Sequence, residues 1–202
     1  LKDEEDQTSA SPYGGDDASS SSPMTTTSLE DFEEEQNLVA KLVHLLDNSD
    51  TDQLFRVLAA ARKHFGQGGV KRIQYTLVPL VFAYLRLAQR IHTAQEEEKV
   101  VGVDKVFKYV LEILQVYANH KPGMALTLYL QAAQCADQCA SDQIVYEFLT
   151  QAFILYEEED SKIQLNYLTL IINTLQNMRN MTSENYDTLS TKTCQYSSKL
   201  LR

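Results

Sequence analysis

Apolar residues along this 202-residue chain recur three and four positions apart, and no stretch alternates with period two over a strand's length. That spacing puts the apolar side chains on one face of an α-helix. The pattern predicts a first helix from Phe32 to Leu46. Its Leu38, Val39, Leu42, Val43, Leu45 and Leu46 form one face, and Glu33, Glu34 and Glu35 stand where they favour the helix dipole. Asn48, Ser49 and Asp50 read as a turn, with Asp50 or Thr51 capping a second helix that carries Leu54, Phe55, Val57, Leu58 and Ala61 to Phe65. Gly66 follows its last apolar residue and is expected to stop it with a positive φ, which a residue bearing a Cβ reaches only at a cost of ~1–2 kcal/mol. After Gln67, Gly68 and Gly69 a third helical pattern begins, with Val70, Ile73, Leu77, Leu80, Val81 and Leu85. Pro79 is tolerated in a first turn, so Thr76 is the expected N-cap, preceded by a short lead-in turn over residues 70–75.

Five further helices are expected. The third ends around Ile91 to Thr93, and Glu96, Glu97 and Glu98 open a fourth with Val103, Val106, Phe107, Val110, Leu111, Leu114 and Tyr117. Pro122 suits the first turn of a fifth, on which Met124, Leu128, Leu130, Ala132, Cys135 and Ala136 are apolar. Ser141 or Asp142 begins a sixth, Asp160 or Ser161 caps a seventh, and Thr182 or Ser183 caps an eighth. The sixth and seventh carry Ile144 to Tyr156 and Ile163 to Met178, and the eighth carries Tyr186, Leu189, Cys194 and Leu200. Connections of about 2–6 residues join helix to helix, so the fold is all-α. Paired as hairpins, the helices give units of about 35–45 residues, the size of two-helix solenoid repeats, although periodicity alone leaves a helical bundle open. The fifth to seventh helices favour stacking, because their apolar residues spread around more than one face.

Charge divides the chain. Residues 1–36 hold eleven carboxylates and one lysine, which accounts for the whole formal charge of −10. Residues 1–28 combine acidic, Ser, Thr, Gly and Pro residues with few apolar ones, and are expected to be a disordered linker before a helical segment over 29–202. Ser11-Pro12 and Ser22-Pro23 there suit proline-directed phosphorylation, against the plainer reading of a solvated linker. No apolar run reaches the ~18 residues of a membrane span, and no signal-peptide pattern is present, so an intracellular protein is expected. Cys135, Cys139 and Cys194 cannot pair completely and lack Cys-x-x-Cys spacing, so they are expected to be reduced and mostly buried. The chain starts at Leu1 and stops within a helical pattern, and is expected to be a piece of a longer one.

Candidate chemistry is sparse. His44, His64, His92 and His120 have no carboxylate or cysteine partner in a recognised arrangement. A metal site on Cys135 and Cys139 needs two ligands from elsewhere, and Gly66 to Arg72 follows a helix where a phosphate loop follows a strand. No enzyme activity and no cofactor or metal are expected. A charge asymmetry is the better lead: between Asp52 and Glu96 there is no carboxylate, while Arg56, Arg62, Lys63, Lys71, Arg72, Arg86 and Arg90 all lie there. This basic hairpin reads as a solvated face, or one paired with Glu96 to Glu98 and the acidic tail, or as a dock for an acidic partner or anionic headgroups. Nucleic acid is disfavoured because the body is neutral and carries no such motif. Of eleven tyrosines, Tyr84, Tyr117, Tyr129, Tyr146, Tyr156, Tyr167 and Tyr186 fall on helices, where they finish a core or anchor a partner.

The run Ala-Arg-Lys-His-Phe-Gly-x-Gly-Gly from Ala61, followed by Arg72-Ile73 and by Thr76-Leu77-x-Pro79-Leu80-Val81-Phe82, resembles the large helical subunit of retromer, the vacuolar protein sorting-associated protein 35 family. Asp31-Phe32-x-x-Glu35-Gln36-x-Leu38-Val39, Tyr146-Glu147-Phe148-x-x-Gln151-Ala152-Phe153-x-Leu155-Tyr156-Glu157 and Leu168 to Ile172 support it. The likeness covers residues 30–202, is loose between 92 and 122, and has Val78 where the family usually has a proline. It implies a right-handed α-solenoid of stacked antiparallel helical hairpins, like HEAT and armadillo repeats, from the C-terminal half of that subunit. It further implies a non-enzymatic scaffold that grips the phosphoesterase-fold subunit (vacuolar protein sorting-associated protein 29) and sorts cargo from endosomes to the Golgi or plasma membrane. The expected location is cytoplasmic, peripheral on endosome membranes. The motif also marks Arg62, Lys63, His64, Phe65 and Arg72 as partner-binding candidates, and Arg86 and Arg90 extend the same basic hairpin. The family's Pro-Arg-Leu-Tyr-Leu motif for the arrestin-like subunit is absent, and the furthest C-terminal helices are missing, so contacts to other retromer subunits are expected to lie outside this chain.

Overall fold

A computed structural model describes residues 26–67, 69–94 and 100–200. Eight α-helices and no strand occur among them: α1 (Thr26–His44), α2 (Thr51–Phe65), α3 (Val70–Ala94), α4 (Val103–Ala118), α5 (Pro122–Gln138), α6 (Asp142–Glu157), α7 (Ser161–Gln176) and α8 (Ser183–Leu200). The expected linker up to residue 25, its Ser-Pro sites, Gly68 and the acidic run Glu96 to Glu98 lie outside the described residues. Helix α1 begins at Thr26, ahead of Phe32.

Each helix from α2 onward packs on its successor, and α1, α3, α5 and α7 also touch in sequence. The result is a two-layer stack, with the odd helices in one layer and the even ones in the other: an α-solenoid. Phe32 meets Tyr75 edge to face at 6.4 Å, while Asp47 bonds Arg90, so α1 runs parallel to α3. One core threads the stack, with Leu58, Leu80, Tyr84, Phe107, Leu126, Tyr129, Phe148 and Phe153 fully buried.

Local chemistry explains most boundaries. The Asp50 carboxylate caps α2 by accepting from the Asp52 and Gln53 amides at 2.8 and 3.2 Å. Pro122 occupies the first turn of α5. Asp160 and Ser141 stand at the N-caps of α7 and α6, although neither makes a side-chain cap bond.

Several expectations give way. Residues 100–102 are not helical and α4 starts at Val103 behind Gly102, so it is not opened by Glu96 to Glu98. Gly66 does stop α2, standing directly after Phe65 as its cap, but it is right-handed (φ −66°, ψ −17°), its N–H reaching the Arg62 carbonyl at 2.8 Å; a positive φ (76°) falls on Gly69. The reversal is thus placed at the start of α3, where the Gly69 carbonyl accepts from both Arg72 and Ile73. Because α3 is already nucleated there, it runs unbroken through Pro79, and Thr76 is interior, its hydroxyl donating to the Arg72 carbonyl at 3.1 Å. Pro79 leaves the Tyr75 carbonyl without its i+4 donor, an interruption offset by burying Thr76, Leu77, Pro79, Leu80 and Val81 together. Finally, among the residues of α1 from Leu29 on only Gln36 and Val43 are buried, whereas Leu38, Leu42 and the following Leu45 are 59, 60 and 75% exposed. One neighbouring helix, α3, covers a narrower stripe than the apolar face offers. Ile163 and Leu165 on α7 and Cys194 on α8 are exposed too.

Carboxylates at the starts of the even helices tie neighbouring repeats. Asp52 accepts from the Val100 and Val101 amides before α4; Asp104 accepts from the Ser141 hydroxyl before α6; Asp142 accepts from the amide and hydroxyl of Thr182 and from Asn185 at α8. A fourth, Asp137 at the end of α5, is buried and accepts from the Arg179 and Asn180 amides in the α7–α8 turn. Each of these tertiary contacts fixes a loop that would otherwise set only local geometry.

Candidate docking surface

The seven candidate residues separate into two groups at opposite ends of α3. Arg62, Lys63, His64 and Phe65 form the last turn of α2, and Arg72 lies in the first turn of α3. Arg86 and Arg90 sit 14 and 18 residues further along, roughly 21–27 Å away at 1.5 Å per residue. No single partner contact of one loop spans both.

Within the first group the roles differ. Arg62 turns inward across the α2–α4 groove, pairing with Glu112 at 2.7 Å and stacking 4.9 Å from the Tyr109 ring. Tyr109 in turn meets Phe55 at 4.9 Å and Tyr84 at 5.9 Å, so the guanidinium closes an aromatic cluster. Burial pushes the Tyr84 phenol up, with Arg62 opposing, and its hydroxyl finds no partner among the described residues. Phe65 is half-buried against the core. Lys63, His64 and Arg72 are exposed, and Lys63 and Arg72 make no ion pair among the described residues. In the second group, Arg90 holds the α1–α2 turn by binding Asp47 at 2.6 Å and the carbonyls of Asn48 and Ser49. Arg86 is exposed and lines three adjoining clefts of about 410, 570 and 310 Å³ on the odd-helix side. Arg62 and Arg90 therefore serve the fold, while Lys63, His64, Arg72 and Arg86 are displayed.

Sequence reasoning did not find Tyr109 and Glu112, which complete the α2–α4 groove. No local signal marks them, since their partners lie about fifty residues back in the chain. The groove holds about 410 Å³ over Leu77, Ile113 and Val116. Cys135 and Cys139 are buried as expected; the hydrogen bond to Cys139 and burial push the Cys135 thiol up, and its sulfur lies 3.6 Å from the Leu85 carbonyl. Among the described residues no three His, Cys, Asp or Glu side chains gather as a metal site requires, and no helix is long and apolar enough to cross a membrane.

A two-layer stack of helices with cations displayed on its surface defines a helical-repeat protein. The family model for vacuolar protein sorting-associated protein 35 matches residues 2–202, starting ahead of residue 30 where the visible motifs begin. The chain belongs to that family. It is 44% identical over 180 residues to vacuolar protein sorting-associated protein 35A of Arabidopsis thaliana, covering 86% of this chain and 23% of the relative. The Dictyostelium discoideum protein 35 is 37% identical over 179 residues (83% of this chain, 23% of the relative), and the Schizosaccharomyces pombe protein 34% over 168 (81% and 20%). This chain thus spans less than a quarter of the length of these relatives.

Proposed function

We propose that the chain is a non-enzymatic scaffold segment of a retromer-type vacuolar protein sorting complex, and that its stacked hairpins bind the phosphoesterase-fold subunit during retrograde transport from endosomes. The observation that carries the reading is family membership over residues 2–202 together with the unbroken stack of eight helices. A stack of this kind presents a wide surface, and affinity comes from apolar contacts rimmed by charge. Leu38, Leu42, Phe82, Met124 and Leu165, exposed on odd helices, supply such apolar contacts, and Lys63, Arg72 and Arg86 the charge. The complex works in the cytoplasm, peripheral to endosome membranes; other subunits bind parts of the longer relatives that this chain does not cover, and nucleic acid is not a ligand.

Calorimetric titration of the chain with the phosphoesterase-fold subunit tests the proposal. Binding is expected, and a Lys63→Glu, Arg72→Glu double variant, which leaves the Arg62–Glu112 pair intact, separates the basic turn from the rest of the surface. A loss of more than ~2 kcal/mol makes that turn a hot spot. A folded chain that fails to bind refutes the partner assignment and leaves a spacer that sets curvature. A second reading, an acidic partner docked on the basic hairpin, is favoured by the display of Lys63 and Arg72 without ion partners among the described residues; it predicts binding that weakens steeply with salt.

A further inference from the structure

The groove between α2 and α4 shares only Lys63 with the reading above, and its chemistry is specific. Ala59, Leu77, Ile113 and Val116 give it an apolar floor. Lys63 lines it, and Arg56 and Lys105, exposed two turns before Lys63 on α2 and two turns before Glu112 on α4, fall on the same helix faces by their spacing. Its one lining carboxylate, Glu112, is already neutralised by Arg62. Such a groove fits an extended acidic segment that carries an apolar side chain.

The chain itself contains one. Residues 3–17 hold Asp3, Glu4, Glu5, Asp6, Asp16 and Asp17, with Tyr13 between the two clusters. The Phe32–Tyr75 contact places the start of α1 beside the start of α3, which is also the end of the stack where Lys63 and Gly66 line the groove. The span from residue 17 to Thr26 reaches up to about 30 Å at ~3.3 Å per residue, against about 22 Å for the length of α2. We propose that the α2–α4 groove binds this chain's own acidic segment, residues 3–17, through the Arg56, Lys63 and Lys105 rim. The tether gives an effective concentration in the millimolar range, so weak contacts suffice. This inference is independent of which subunit the stack binds.

Zero-length carboxyl-to-amine coupling of the full chain, mixed equally from unlabelled and ¹⁵N-labelled protein, reads the contact. Peptides joining Asp3 to Asp6 or Asp16 to Asp17 with Lys63 or Lys105 are expected, within one isotope, at least fivefold above links to Lys162 on α7 or Lys199 on α8. One molar salt is expected to abolish the preference, and Arg56→Gln to weaken it while circular dichroism stays unchanged. Links spread evenly over the lysines, or none, overturn the proposal. Mixed-isotope pairs as frequent as single-isotope pairs also overturn it, because that is the ratio an equal mixture gives when the groove takes acidic segments from another molecule.

Discussion

Removing the Asp137 carboxylate should unfasten the last hairpin from the stack. Asp137 is 4% exposed, and its two oxygens accept from the backbone N–H groups of Asn180 at 2.9 Å and Arg179 at 3.0 Å. The Asn180 side chain returns a bond to the Asp137 carbonyl at 2.8 Å. In Asp137→Ala two amides of the α7–α8 turn lose their acceptors, at about 1–3 kcal/mol for each group left unsatisfied. A total of roughly 2–6 kcal/mol follows, a large part of the 5–15 kcal/mol that holds an ordinary domain together. Asp137→Asn keeps one oxygen and turns an N–H donor toward the other amide, so its cost should be about half of that or more. Neighbouring repeats couple only through their interfaces, so the damage should concentrate at α7 and α8. Amide exchange resolves this: protection at Arg179 to Thr182 is expected to fall by a factor of ~30 or more while α3 and α4 keep theirs. Urea unfolding in which the variant loses less than ~0.5 kcal/mol, with exchange in the turn unchanged, would refute the reasoning.

Other consequences are more local. Ala140 is held at φ 54° after α5, so Ala140→Gly is expected to raise stability by ~1 kcal/mol and Gly69→Ala, at φ 76°, to lower it by a similar amount; urea midpoints of equal size for both would contradict this. Tyr84→Phe removes a buried hydroxyl without a partner among the described residues and should leave stability unchanged or up to ~1 kcal/mol higher, whereas a loss of that size would mean the hydroxyl is bonded. The Tyr196 hydroxyl, and then Lys192, hold the Glu157 carboxyl below its ordinary range. Its support for α8 is therefore present above that range and lost as pH falls through the lowered value. Acid titration of α8 amide signals should show this step in the native chain and not in Glu157→Gln; identical titrations would exclude it.

The helices were legible because each carries its own signals: Asp50 before α2, Pro122 opening α5, and the three-and-four spacing of Val106, Phe107, Val110 and Leu114. What failed were inferences that needed the neighbours. A Gly triplet announces a reversal but not which glycine makes it, and the choice of Gly69 depends on where α3 nucleates. Leu38, Leu42 and Leu45 look like core positions from spacing alone, since an apolar face carries no mark of how many helices will cover it.

The candidate site was legible in composition and hidden in geometry for the same reason. An arginine that closes an aromatic cluster and one that faces solvent are the same letter, and only the position of Glu112 and Tyr109, or of Asp47, tells them apart. Carboxylates show the effect most fully. An acid in the first turn of a helix has a sufficient local explanation in the helix dipole. Asp52, Asp104 and Asp142 satisfy that explanation, and each then also holds the turn before the next helix of its layer. The hairpins are unlike one another in their apolar residues, yet they are joined by one recurring polar contact. A repeat in this chain is therefore defined less by what its helices bury than by where its acidic first turns reach, and charge at those three positions is fixed by the stack before any partner is considered.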